Sequence, residues 1–193
     1  MIKIGLISDT HISRCDETLP SPVREIFQGV DLILHGGDIY VPSVLDELEI
    51  IAPVLAVYGN GDGSMPPDPR LKNNLILNFF GFRIGVTHGL DYPEPSFRSL
   101  EDAMQYEFGG RVDIFIFGDS HVEVTDIYKG VLHVNPGSPT FPHQIKRPGT
   151  VALLELSSGG EAKAWIVSLS TRRASRAIRY NPDHFRKASS SFQ

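Results

Sequence analysis

The sequence predicts an α/β fold in which two β-sheets face each other with helices on the outside. Three observations lead there. Short, β-branched apolar runs alternate with helix-patterned segments through the first half of the chain. Strand-like runs dominate the second half. Polar residues of metal-ligating type recur just past the ends of those runs.

Taken in order, Ile2–Ile7 is apolar, rich in β-branched residues, and ends at the polar loop Ser8-Asp9-Thr10-His11. It reads as a first buried strand and not as a signal peptide, being too short and too quickly polar. Residues 22–28 carry a short helical pattern with Pro22 at the start and Val23, Ile26 and Phe27 on one face. Residues 31–34 form the next strand, ending at His35-Gly36-Gly37-Asp38. Val44, Leu45 and Leu48 give residues 41–48 helical spacing. A third strand, 54–58, ends at Gly59-Asn60-Gly61-Asp62. These alternations argue for parallel pairing.

Beyond the Pro-rich loop at 65–69, residues 75–80 and 83–87 read as two strands around Gly81, the second ending at His88-Gly89. Residues 97–108 predict a helix. Residues 112–117 predict an apolar strand ending at Gly118-Asp119-Ser120-His121. Further strands are expected at 122–127, 131–134, 151–156 and 162–167, together forming a second, more antiparallel sheet. Residues 172–193 are polar, basic and serine-ended, which predicts a surface tail or a weakly docked extension.

A chain of 193 residues suits one domain with its own core. The formal net charge of -5 gives no overall attraction to nucleic acid or anionic membrane. Apolar runs fall short of the roughly 20 residues a membrane helix needs. The single cysteine, Cys15, excludes an internal disulfide framework and suits a reducing cytoplasm.

Asp9, His11, Asp38, Asn60, His88, Asp119 and His121 each follow the end of an apolar run. Loops at the carboxyl ends of strands converge in one crevice in open α/β sheets, so residues far apart in sequence can meet. Asp and His ligate Zn, Mn or Fe, and Asn adds a neutral oxygen. Singly, each piece reads as a turn, a cap or a loop histidine. The order and the shared strand-end placement make a metal site the stronger reading.

Those motifs resemble the calcineurin-like metallophosphoesterases, in their small capless prokaryotic phosphodiesterase branch. The resemblance rests on Asp9-Thr10-His11, Gly37-Asp38, Gly59-Asn60-Gly61-Asp62, Thr87-His88-Gly89, Gly118-Asp119-Ser120-His121 and Asn135-Pro136-Gly137-Ser138. It implies a four-layer α/β/β/α sandwich of two mixed sheets over residues 1–170, with 171–193 as a polar C-terminal extension. It implies one ion held by Asp9, His11, Asp38 and His121, and a second by Asp38, Asn60, His88 and residue 119, with Asp38 bridging. It also implies hydrolysis of a phosphate ester, chiefly a diester, by a hydroxide between two divalent ions. Asp9, His11, Asp38, Asn60, His88 and His121 would be the catalytic set. Asp62 is expected to orient Asn60.

Three positions depart from the family pattern: Asp119 where histidine is usual, Gly61 where His or Cys is frequent, and Leu90 where a second histidine often follows. All lie at or near the second ion. The extra carboxylate favours Mn over Zn, with Mg, Fe and Ni as further possibilities. The expected partner is a small phosphate ester, with no membrane and no extended nucleic-acid track; exposed sheet edges allow a homo-oligomer. The alternative is a catalytically weak or inactive scaffold for protein contacts, as the resemblance to retromer's metallophosphoesterase-like subunit implies. His35 and His133 read as structural, His184 as solvated and Cys15 as unreactive; Arg70 and Arg98 could contact phosphate, with a surface role the commoner case. His143 lies near enough to the 137–138 loop to approach a substrate.

Overall fold

The computed structural model describes residues 1–93 and 96–185. Its seven-stranded sheet is built from β1 (Ile2–Ile7), β2 (Leu32–His35), β3 (Val54–Val57), β4 (Leu71–Lys72), β10 (Thr150–Leu156), β11 (Ala162–Ser168) and β12 (Ile178–Tyr180), in the order β12-β11-β10-β1-β2-β3-β4. The five-stranded sheet contains β5 (Leu75–Phe79), β6 (Phe82–Val86), β7 (Ile114–Ile116), β8 (Val124–Tyr128) and β9 (Val131–Asn135), in the order β5-β6-β7-β9-β8.

Strand periodicity produces the layers, because successive side chains leave opposite faces. On β1, Ile4 and Leu6 enter the core between the sheets, where they meet Ile84, Val86, Ile114, Ile116, Leu132 and Val134 from the other sheet. Ile7, Ile33, Val54 and Ala56 face outward against helices α1 (Pro22–Ile26) and α2 (Pro42–Glu49), which bury Val23, Val44, Leu45 and Leu48. On the far side, Phe115 and Phe117 pack beneath helix α3 (Leu100–Phe108), against Leu100, Met104 and Phe108. Ser99 caps α3 by accepting from the Asp102 amide, and Gly109 ends it in a left-handed conformation. The result is an α/β/β/α sandwich of two mixed sheets.

The division of strands between sheets differs from the sequence reading. β10, β11 and β12 do not join the second sheet; they extend the first one antiparallel from β1. The second sheet is correspondingly less antiparallel than expected, since β6–β7 and β7–β9 are parallel. Alternating hydrophobicity locates a strand but says nothing of its partner. The stretch read as a surface tail or weakly docked extension contributes β12, whose Tyr180 is buried between the sheets. Among the described residues, no helix is long and apolar enough to cross a membrane.

Candidate metal centre

The strand ends β1, β2, β3, β6 and β7 open onto one edge of the sandwich, and all seven ligand-type residues meet there. The ligand atoms of Asp9, His11 and His121 lie within 4.8 Å of one another, and so do those of Asp9, Asp38 and His88. Asp38 spans the two groups: its Oδ2 lies 3.5 Å from His11 Nε2, and its Oδ1 lies 3.5 Å from His88 Nε2. Asp119 Oδ1 is 3.5 Å from His88 Nε2 and accepts a hydrogen bond from Asn60 Nδ2 at 3.1 Å.

The local backbone that aims these side chains is repeated. Asp9 and His11, Asp38 and Tyr40, and Asp119 and His121 are pairs two residues apart, and all six have positive φ, between 47° and 79°. Non-glycine residues rarely adopt this left-handed conformation, and its strain clusters at functional sites. Here it turns the chain sharply at the strand end and points both side chains of each pair inward. The turns brace one another: the Asp9 amide donates to the Gly37 carbonyl, the His11 amide to the Asp38 carbonyl, and the Asp119 amide to the Asp9 carboxylate. Gly37, at φ +97°, is required both for that angle and because a Cβ there would stand 2.6 Å from His88 Nδ1.

Asp62, expected to orient Asn60, has its carboxylate on a different turn, while the Asn60 side chain bonds Asp119. The buried Asp62 carboxylate accepts from the amides of Asp38, Ile39, Tyr40 and Gly59 at 2.8–3.0 Å, so it organises the Asp38 turn as a whole. The Asn135-Pro136-Gly137-Ser138 loop buttresses the other turns. Asn135 Nδ2 donates to the Gly118 carbonyl at 2.8 Å, and Ser138 Oγ donates to the Asp9 carbonyl at 2.7 Å. His35 is bonded at both nitrogens, to the Gly37 amide and to Thr10 Oγ1, and burial lowers its pKa to about 3.

The inward atoms suit cations. His88 Nδ1 donates to the Gly36 carbonyl at 2.7 Å, which leaves Nε2 a bare lone pair. That Nε2 is buried with no hydrogen-bond partner among the described residues, an arrangement that costs stability unless something electrophilic meets it. His121 Nδ1 likewise donates to the Phe141 carbonyl at 2.9 Å, and its Nε2 faces His11 Nε2 at 2.9 Å. Asp9 is wholly buried, and that burial pushes its carboxyl up to about 7. A buried carboxylate among imidazole lone pairs is the donor set that divalent metals take.

Residues weighed as outside the centre fall as follows. Arg70 is locked by Asp46, Glu49 and Asp68, so it has no freedom to reach a phosphate. Arg98 stacks on Phe97 and Tyr106 and lines a cleft of about 250 Å³ that reaches Asp119. His143 lies on the surface, 3.9 Å from Glu123. A larger cleft of about 580 Å³ opens on the other flank, lined by His11, Phe141 and Lys146 among others. Tyr40 was missed by sequence reasoning; its position two residues after Asp38 was the available signal.

The model of the calcineurin-like phosphoesterase superfamily domain matches residues 2–159. A probable metallophosphoesterase of Methanothermobacter thermautotrophicus is 39% identical over 142 residues, covering 72% of this chain and 78% of that one. Vacuolar protein sorting 29 from Cryptosporidium parvum superposes with a TM-score of 0.75 at 21% identity, over 93% of this chain and 98% of that one. A novel archaeal phosphodiesterase superposes with a TM-score of 0.59 at 22% identity, over 92% of this chain and 99% of that one. These two structures establish a shared fold.

Proposed function

The chain belongs to the calcineurin-like phosphoesterase superfamily, and we propose that it is a dinuclear metal-dependent phosphodiesterase acting on small phosphate esters. The observation that carries this reading is the orphaned His88 Nε2, buried and aligned with Asp38 and Asp119. We assign Asp9, His11, Asp38 and His121 to one ion and Asp38, Asn60, His88 and Asp119 to the other. Bound divalent ions supply Lewis acidity toward a phosphoryl oxygen and acidify the attacking water. The chain's own part is to hold that geometry in place: Asp38 reaches both ligand groups, and Asp62 fixes the Asp38 turn. Oxygen donors outnumber imidazoles at the second position, which favours Mn over Zn.

The clefts beside Lys146 and Arg98 offer one cation on each flank, which suits an anionic diester with a group on either side. The structural likeness to an archaeal phosphodiesterase agrees with a diester. The exposed thiol of Cys15 suits a reducing compartment, and we place the protein in the cytoplasm. A second reading, a scaffold with weak catalysis, draws support from Phe97 and Tyr106, which stand 72% and 75% exposed beside the centre. Hydrolysis of bis(p-nitrophenyl) phosphate with Mn²⁺, abolished by chelator and restored by the metal, is the expected result. Turnover indifferent to chelator, or absent with every divalent ion tried, would overturn the enzyme reading.

A further inference from the structure

A metal-ligating histidine needs a partner on its other ring nitrogen, which fixes tautomer and orientation. His88 uses the Gly36 carbonyl and His121 the Phe141 carbonyl. Both partners are main chain, so changing the side chain at 36 or 141 leaves the acceptor in place. His11 is different. Its Nδ1 meets the hydroxyl of Tyr40 at 2.8 Å, and the two rings stand edge to face with centroids 4.8 Å apart.

Tyr40 is held firmly. Its backbone is left-handed, at φ +79°, and its amide donates to Asp62 Oδ1 at 2.8 Å. The ring lies across Gly61. That glycine is not in the left-handed region, so its backbone angle does not demand a glycine. Space does: a Cβ at 61 would stand 1.8 Å from Tyr40 Cε1 and 2.7 Å from Cζ. The Gly61 amide also donates to Asp38 Oδ1 at 2.7 Å, so any shift of residue 61 to relieve that clash disturbs a ligand.

We propose that Tyr40 is the positioning residue for His11, and that Tyr40 and Gly61 are a matched pair in which the phenol takes the space a side chain at 61 would need. The hydroxyl accepts the Nδ1 proton, which leaves the Nε2 lone pair directed at Asp38 and the ion. The inference rests on the metal-centre reading given above. It explains why the chain carries glycine beside Asn60: polar chemistry at that rim comes from residue 40.

Tyr40→Phe keeps the ring and removes only the hydroxyl. Mn²⁺ titration by calorimetry should show one site weakened by about 10- to 100-fold, the usual result of losing such a partner, while the other site is unchanged. The visible absorption of the Co²⁺-loaded protein should shift as His11 loses its fixed orientation. A steric arm is independent of the hydroxyl. Gly61→Cys should lose metal in the presence of Tyr40, and the Tyr40→Ser, Gly61→Cys double variant should recover binding to the level of Tyr40→Ser alone. Wild-type affinity and spectrum in Tyr40→Phe would overturn the positioning role, and full metal binding by Gly61→Cys alone would overturn the matched pair. Wild-type protein that binds no Mn²⁺ at all would instead overturn the metal-centre reading itself.

Discussion

The two halves of the centre are fastened by different means. On the seven-stranded sheet, Asp9 and Asp38 are buried, and their turns are bonded to each other and to Asp62. On the five-stranded sheet, the Asp119 side chain is 46% exposed and its carboxylate meets Asn60 and His88 among the described residues. The same contrast recurs away from the ligands. His35 on β2 has both ring nitrogens bonded, whereas His133 on β9 bonds Val131 through Nδ1 and leaves Nε2 buried without a hydrogen-bond partner among the described residues. A ligand held by the main chain is preorganised and intolerant of change. Within the five-stranded half, His88 and His121 are anchored by main-chain carbonyls, and the departure from the family pattern falls on Asp119, its exposed member.

The contrast breaks outright if Asp38→Ala retains metal. Removing a carboxylate that reaches both groups should cost both ions and more than the roughly 100-fold activity loss typical of outer-shell substitutions. Turnover of bis(p-nitrophenyl) phosphate and metal content by mass spectrometry check this. Asp62→Ala tests whether the first half owes its order to one carboxylate. It strands four amides, so thermal unfolding should show a loss of about 3 kcal/mol or more. A loss under 1 kcal/mol would mean that water replaces it.

His133 sharpens the comparison through pH. Burial holds its pKa at about 4 against 6.5 in the unfolded chain. Between those values the unfolded state carries the proton and the folded state does not. Its contribution is therefore complete above about 6.5 and declines as pH falls toward 4. The whole difference is worth roughly 3 kcal/mol. His133→Phe, packed against Phe115 and Phe117, should flatten part of the stability curve between pH 6.5 and 4. An unchanged slope would reassign that sensitivity to other groups. The smallest effect concerns Asp119→His. A neutral imidazole at the looser half should bind the second ion about tenfold tighter, equivalent to about 1.4 kcal/mol, shift preference from Mn toward Zn, and lower the pH optimum. Calorimetry and a pH–rate profile that match wild type would show that Asp119 is no ligand.

Much of this was legible beforehand because strands and ligands leave local marks. The β-branched runs before Asp9, Asp38, Asn60, His88 and Asp119 are continuous enough to read, and each ends in a polar or glycine residue that cannot extend it. β4 was not legible, since the two residues Leu71–Lys72 carry no periodicity. β12 was hidden in a polar, basic stretch, where Ile178 and Tyr180 face inward on alternate positions of a three-residue strand. Asp62 and Tyr40 were misjudged or missed for one reason. Their partners are main-chain amides of residues 38 to 40 and an imidazole 29 positions earlier, and such contacts follow from tertiary folding, not from spacing.

The six left-handed residues at the strand ends carry a consequence for how this lineage can change. Each non-glycine residue in that conformation costs about 1 kcal/mol or more, and together they are a standing load on the fold. Under the proposed activity, selection retains aspartate, histidine and tyrosine there in spite of it. Once that activity is released, glycine at 11, 40 and 121 relieves backbone strain, whereas the carboxylates at 9 and 38 still hold the Asp119 and Gly61 amides. Descendants that keep the sandwich for another use should therefore lose residues 11, 40 and 121 before 9 and 38, and the turns would record when that selection ended.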